Sequence, residues 1–121
     1  MAIISLVIMH ELAVTQSILD ISIRHAKEAD AKRVTGINIV IGQFASIVDD
    51  SVKFYWDLVA EGTIAHGATL HFERIPGEMT CEACGHTFRP GDISFECPAC
   101  SSVQVRITQG EEFRVDSIDV E

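Results

Sequence analysis

The chain has 121 residues, nearly half of them apolar, and a net charge of −9 from 18 acidic against 9 basic side chains. That length bounds it to one small domain, or one domain carrying a smaller module. The acidic excess argues against recognition of DNA or RNA through phosphate neutralisation, which needs clustered Lys and Arg. It suits a soluble cytoplasmic protein that handles cations or docks on a basic partner surface.

Met1 to Ile8 is apolar and uncharged. It is too short to span a bilayer and lacks the basic start of a secretory signal. An edge strand, a disordered tail and an upstream start codon before Met9 all fit it. From Val14 to Ala31 the pattern predicts a helix, with Val14, Ile18, Ile21 and His25 on its inner stripe and Leu19, Ile23 and Ala26 widening it. Val34 to Phe44 reads as a strand with Ile37, Ile39 and Ile41 on one face and Gly42 near its end. Asp49 or Asp50 is a fitting N-cap for a second helix over Ser51–Glu61, with Val52, Tyr55, Leu58 and Val59 turned inward and Gly62 as its stop. The Phe54-Tyr55-Trp56 run reads as packing. Ala68 to Ile75 is a further strand, broken by Pro76-Gly77. Val103–Ile107 and Phe113–Val120 are two more, with Gln109-Gly110 as the turn between them. The expected fold is α+β: a small sheet with two helices and an inserted zinc-ribbon-like module. The domain limits are 9–76 with 107–121 for the main body, 77–106 for the module, and 1–8 for an extension.

The module is marked by Cys81-Glu82-Ala83-Cys84 and Cys97-Pro98-Ala99-Cys100, which hold every cysteine of the chain. Each C-x-x-C turn sets two thiolates on one side of a tight knuckle. Two such knuckles make a closed four-sulfur cage suited to a structural tetrahedral Zn²⁺, with no open position for a substrate. Two disulfides are the competing reading and belong to secreted chains. Phe88 and Phe95 are expected to pack over the metal.

Five histidines remain: His10, His25, His66, His71 and His86. None forms an H-x-x-x-H pair, and no phosphate-binding or nucleophile-elbow motif is present, so catalysis is not expected. His10-Glu11 is the pair with chemical interest. In a chain that begins at Met9, the α-amine, the His10 amide nitrogen and the His10 imidazole can wrap one ion in fused chelate rings. Such strong-field nitrogen ligands favour square-planar Ni²⁺ or Cu²⁺ over Zn²⁺.

Met9-His10-Glu11-Leu12, the amphipathic helix, the Ile39-Val40-Ile41-Gly42 strand, the paired knuckles and Thr108-Gln109-Gly110-Glu111-Glu112 together resemble the HypA/HybF hydrogenase-maturation nickel chaperones. The similarity runs from Met9 to Glu121. The resemblance implies nickel at His10 and Glu11 with the Met9 amine, and structural zinc at Cys81, Cys84, Cys97 and Cys100. It implies delivery of nickel to the [NiFe]-hydrogenase large subunit together with a HypB-type GTPase, with urease served by some members. It implies no nucleic-acid or membrane partner and leaves a homo-oligomer open.

This chain departs from the family pattern in three places. Eight residues precede the Met-His-Glu segment. A histidine follows the first cysteine pair as His86, whereas Ser101 stands after the second. Val48 occupies the place of a carboxylate that helps hold nickel in some relatives, with Asp49 beside it. Two other functions were weighed. A zinc-ribbon module for nucleic acid or protein is opposed by the scattered Lys and Arg. A thiol redox enzyme is opposed by engagement of all four thiols in metal.

Overall fold

The structure, a computed structural model, describes residues 2–90 and 95–121, with side chains from Glu11 onward. It is an α+β protein, with two helices and two three-stranded sheets among the described residues. The chain forms two compact units. The first holds Met1–Ile39, Ile47–Glu73 and Arg114–Glu121; the second holds Val40–Ser46 and Arg74–Phe113.

In the first unit, helix α1 runs Ala2–Glu28. The edge-strand and disordered-tail readings of Met1–Ile8 therefore give way to a helix from Ala2. The helix stops three residues before the expected Ala31. Asp30 takes a left-handed backbone (φ 55°), Ala31 N–H donates to Ala26 O (2.9 Å) and Asp30 N–H to Lys27 O (3.0 Å). That pair of bonds is a Schellman closure, here with Asp in the place glycine usually takes. Among the described side chains of α1, the buried ones are Glu11, Thr15, Ile18, Leu19, Ser22 and Ala26. The inner stripe is thus rotated from the expected one: Val14 and Ile21 are half-buried and His25 is exposed. Three of its six members are polar. Thr15 satisfies itself by donating to Glu11 O at 2.7 Å.

Helix α2 (Asp49–Val59) packs against α1. Its N-cap is Val48, without a side-chain hydrogen bond, so neither Asp49 nor Asp50 caps it. Both aspartates lie in the first turn instead, where their charge favours the helix dipole. Val52 and Trp56 are buried, whereas Leu58 is exposed, which overturns its expected inward place. Gly62 has φ +78° two residues past the Ala60 C-cap, turning the chain as expected.

Strand β1 (Val34–Gly42) is the centre of the first sheet, ordered β2-β1-β6, with β2 at Thr69–Ile75 and β6 at Phe113–Val120. Ile37, Ile39 and Ile41 are buried, and so are Val34 and Val40. A central strand has no free edge, and burial on both faces explains why its apolar run is nearly continuous. Asn38 Nδ2 reaches Ser117 Oγ at 2.9 Å and Thr35 Oγ1 reaches Asp119 O at 3.2 Å, tying the last strand of the chain to β1 as expected.

The second unit holds the other sheet, ordered β4-β3-β5, with β3 at Glu78–Cys81, β4 at Thr87–Phe88 and β5 at Val105–Gln109. β3 pairs antiparallel with both neighbours, Met79 opposite Phe88 on one side and Ile107 on the other. The expected strand at Val103 begins two residues later, and the β3–β4 hairpin has no counterpart among the sequence-predicted strands. Three chain segments are bound together beside it. Gly42 N–H donates to Glu112 O (2.7 Å), Gln43 N–H to Ile75 O (2.9 Å) and Phe44 N–H to Gly110 O (2.7 Å). Gly77 N–H completes the knot by donating to Gln43 Oε1 at 2.7 Å.

Gly42 leaves no room in this knot, because a Cβ there would overlap the carbonyl of Gly110. A backbone carbonyl cannot rotate aside as a side-chain end can. Gly42→Ala is expected to cost about 1–3 kcal/mol through overpacking, read as a lower midpoint in urea denaturation of the metal-loaded protein. An unchanged midpoint would show that the strands separate freely at this point.

Candidate metal centre

β3 delivers Cys81 at its last residue, and the chain then turns sharply to Cys84. The turn is held by Gly85 N–H to Cys81 O (2.8 Å) and Cys81 N–H to His86 O (2.9 Å), with Gly85 at φ +78°. The second knuckle repeats this. Ser101 N–H donates to Cys97 O (2.8 Å), Cys97 N–H donates to Ser102 O (2.9 Å), and Ser101 has φ 63°. The inner cysteine of each pair, Cys81 or Cys97, is buried and the outer one, Cys84 or Cys100, is exposed. The two Cys-x-Ala-Cys segments thus fold into matched halves, because the same two backbone hydrogen bonds close each turn.

The halves face each other. Cys81 Sγ lies 3.6 Å from Cys100 Sγ, and Cys84 Sγ lies 3.6 Å from Cys97 Sγ. All four sulfurs fall within 4.8 Å of one another. A regular tetrahedron with metal–sulfur bonds of ~2.3 Å has edges of ~3.8 Å, so the cage fits a tetrahedral Zn²⁺. The sulfurs are free thiols and stand well beyond the ~2.05 Å of a disulfide bond. A small core lies against the cage. It comprises Met79, Phe88 and the two inner cysteines, with Phe44 and Val105 packed on it. Phe88 takes its expected place. Phe95 does not, being 52% exposed, and Phe44 is the aromatic that the sequence reading missed. The His86 ring lies parallel to Phe88, 6.1 Å between centroids, and the four-sulfur set is complete without it.

The electrostatics show why the cage calls for a dication. A hydrogen bond from the Cys84 amide brings the Cys81 thiol down to about 7. Cys100 is pushed up to about 12: the Ser102 amide lowers it, but Cys81, burial and the other two thiols together outweigh that bond. Cys84 is also raised, since burial and the Cys97 and Cys81 sulfurs outweigh the His86 amide. Four thiolates at this spacing repel one another, and the protein alone stabilises only part of that charge.

The remaining site candidates are His10 and Glu11, both on α1. The side chain of His10 lies outside the described residues. Glu11 is 3% exposed, and its Oε2 is buried without a hydrogen-bond partner. Among the described residues, the four cysteines are the one cluster of three or more metal-ligating side chains. No helix among the described residues is long and apolar enough to cross a membrane.

Two predictions follow from the cage. All four thiols must be deprotonated to hold Zn²⁺; the protons on Cys84 and Cys100 are the most firmly held, and below about pH 7 Cys81 has one to release as well. Zinc affinity is therefore expected to fall with decreasing pH, more steeply below pH 7. Calorimetry in buffers of different ionisation enthalpy counts the protons, and a pH-independent uptake would contradict the shifted thiols. Ser101 carries a side chain at a left-handed position whose counterpart is Gly85. Ser101→Gly is expected to raise the stability of the zinc-loaded protein by about 0.5–1 kcal/mol in denaturant titration, by relieving that strain.

Comparison with known proteins places these features in a family. Residues 9–120 match the family model described as hydrogenase/urease nickel incorporation, metallochaperone, hypA. A hydrogenase maturation factor HypA from Dehalococcoides mccartyi is 42% identical over 93% of this chain and 95% of its own length. The HypA of Caldanaerobacter subterraneus subsp. tengcongensis is 40% identical over 93% of this chain and all of its own length. Among solved structures, the Ni metallochaperone HypA from Helicobacter pylori superimposes with a TM-score of 0.63 at 25% identity, covering 91% of this chain and 96% of that one. A second HypA solution structure does so at 0.70 and 27% identity, covering 93% and 97%. With a four-cysteine cage inside an α+β fold and a family match from Met9 nearly to its last residue, the chain belongs to the HypA family of hydrogenase-maturation nickel metallochaperones.

Proposed function

We propose that the chain carries Ni²⁺ as cargo on the Met9-His10-Glu11 segment and passes it to the large subunit of [NiFe]-hydrogenase. It works in the cytoplasm with a HypB-type GTPase, while Cys81, Cys84, Cys97 and Cys100 keep a resident structural zinc. The protein acts by binding and transfer, without catalysis.

The observation that carries the nickel reading is Glu11. A carboxylate oxygen buried without a hydrogen-bond partner is costly, and a bound cation removes that cost. Glu11 stands next to His10, whose imidazole, amide nitrogen and neighbouring Met9 amine form the chelate described above. Amide coordination also restricts where this chemistry works. An amide inside a helix donates to the carbonyl four residues before it, whereas the first four amides of a helix have no such partner. The proposed site thus operates with Met9 at the start of the working chain. Few ligands on one terminal turn suit an ion that must be released, as a closed cage does not.

His10→Ala is expected to abolish nickel binding in isothermal titration, with zinc content and circular dichroism unchanged. Undiminished nickel affinity in that variant would remove the proposed site and leave the zinc centre standing.

A further inference from the structure

Helix α2 buries Val52 and Trp56, and its opposite flank is not the polar surface a solvated helix normally shows. Phe54 is 66% exposed and Leu58 is 61% exposed. They stand one turn apart on the same i, i+4 ridge, which begins one turn earlier with Asp50. The Phe54 ring is set edge-on against Tyr55, with centroids 5.3 Å apart, so part of its ordering is already done by the fold. Asp57 borders the ridge, and Glu61 is exposed just past the helix end. None of Asp50, Asp57 and Glu61 finds an ionic partner among the described residues. Beside Asp57 lies a hollow of about 320 Å³ between α2 and the start of β2, with Trp56, Ala68 and Leu70 on its walls. Lys53 also lines this hollow, with its Nζ over the Phe72 ring at 5.7 Å.

We propose that this flank of α2 is a docking surface for a partner protein presenting a basic amphipathic helix. The apolar stripe of that helix covers Phe54 and Leu58. Its Lys or Arg side chains pair with Asp50, Asp57 and Glu61.

Charge selects this occupant over the others. A second copy of the chain would bring the same three carboxylates against themselves, within a molecule of net charge −9. An anionic membrane surface and a nucleic acid are repelled for the same reason. Two exposed side chains are also less than the ~1,000 Å² that a stable dimer needs, but they suffice as the apolar centre of a mixed interface whose rim is ionic. The surface does not depend on whether His10 binds nickel.

The test uses the zinc-loaded full chain and a synthetic amphipathic Leu/Lys helix as probe, with its Leu/Glu twin as control, in fluorescence-anisotropy titrations. Expected are binding of the basic probe only, about a tenfold loss of affinity in Phe54→Ser with Leu58→Ser, and a weaker salt dependence in Asp50→Asn with Asp57→Asn and Glu61→Gln. Circular dichroism and zinc content check that the variants fold. The acidic-row variant changes only exposed groups and keeps the test decisive if the apolar variant does not fold. Equal affinity of the wild type and both variants overturns the proposal. So does equal binding of the Leu/Glu twin, capture by phosphatidylglycerol vesicles, or a wild-type dimer in sedimentation that Phe54→Ser dissociates.

Discussion

Mutual repulsion of four sulfurs is the constraint on which the second compact unit depends. Its buried core is small, and two of its four members, Cys81 and Cys97, are themselves cage ligands. Met79 and Phe88 supply the remaining apolar weight, backed by Phe44 and Val105. A core of that size does not offset the conformational entropy of ordering the nearly fifty residues of this unit, so bonds to a divalent ion would be part of its folding free energy. The pull of the Cys84 amide on Cys81 and the upward push on Cys100 are two sides of one arrangement. The backbone is shaped to receive thiolates, and it cannot stabilise all of them without a cation.

The two proposed metal sites differ because their tasks differ. At the cage, backbone hydrogen bonds close both knuckles, the sulfurs are mutually fixed, and no ligand position is left for exchange. That geometry suits a permanent ion. Around Glu11 the opposite holds: α1 turns Glu11, Thr15 and Ser22 inward, and both Glu11 Oε2 and Ser22 Oγ are buried without partners. A helix face that buries unpaired polar atoms adheres less firmly than an apolar one. An ion bound through Glu11, as proposed, would give a partner to one of those atoms without completing a closed cage.

Much of this was legible in the sequence, and the failures have physical causes. Ile37, Ile39 and Ile41 announced β1, and the last strand was placed correctly in the same sheet. The cage was readable because C-x-x-C spacing alone constrains two sulfurs to one side of a turn. The inner face of α2 was readable only in part: Val52 is buried as expected, whereas Leu58 is exposed. Phe54, Tyr55, Trp56, Leu58 and Val59 surround most of the helix, so Val52-Trp56 and Val52-Tyr55-Leu58-Val59 are equally good helical progressions. The α1 stripe was right at Ile18, Leu19 and Ala26 and missed its polar members for another reason: pattern reading sends Glu, Thr and Ser outward, and here they point in. The β3–β4 hairpin escaped because strands of four and two residues leave no periodicity to detect. Their pairing is dictated by the knuckle between them.

The same ambiguity on α2 bears on its use. A helix with apolar residues nearly all round is normally buried nearly all round. Here α1 covers one side, and Phe54 and Leu58 stay in water beside carboxylates that have no partner among the described residues. Neither feature helps the isolated chain. Exposed aromatic surface loses hydration free energy without return, and clustered acids repel one another. Both become favourable together when an apolar surface rimmed with cations approaches, because burial of the ring lowers the local dielectric in which the ion pairs form. The two liabilities on α2 are the matching halves of one interface.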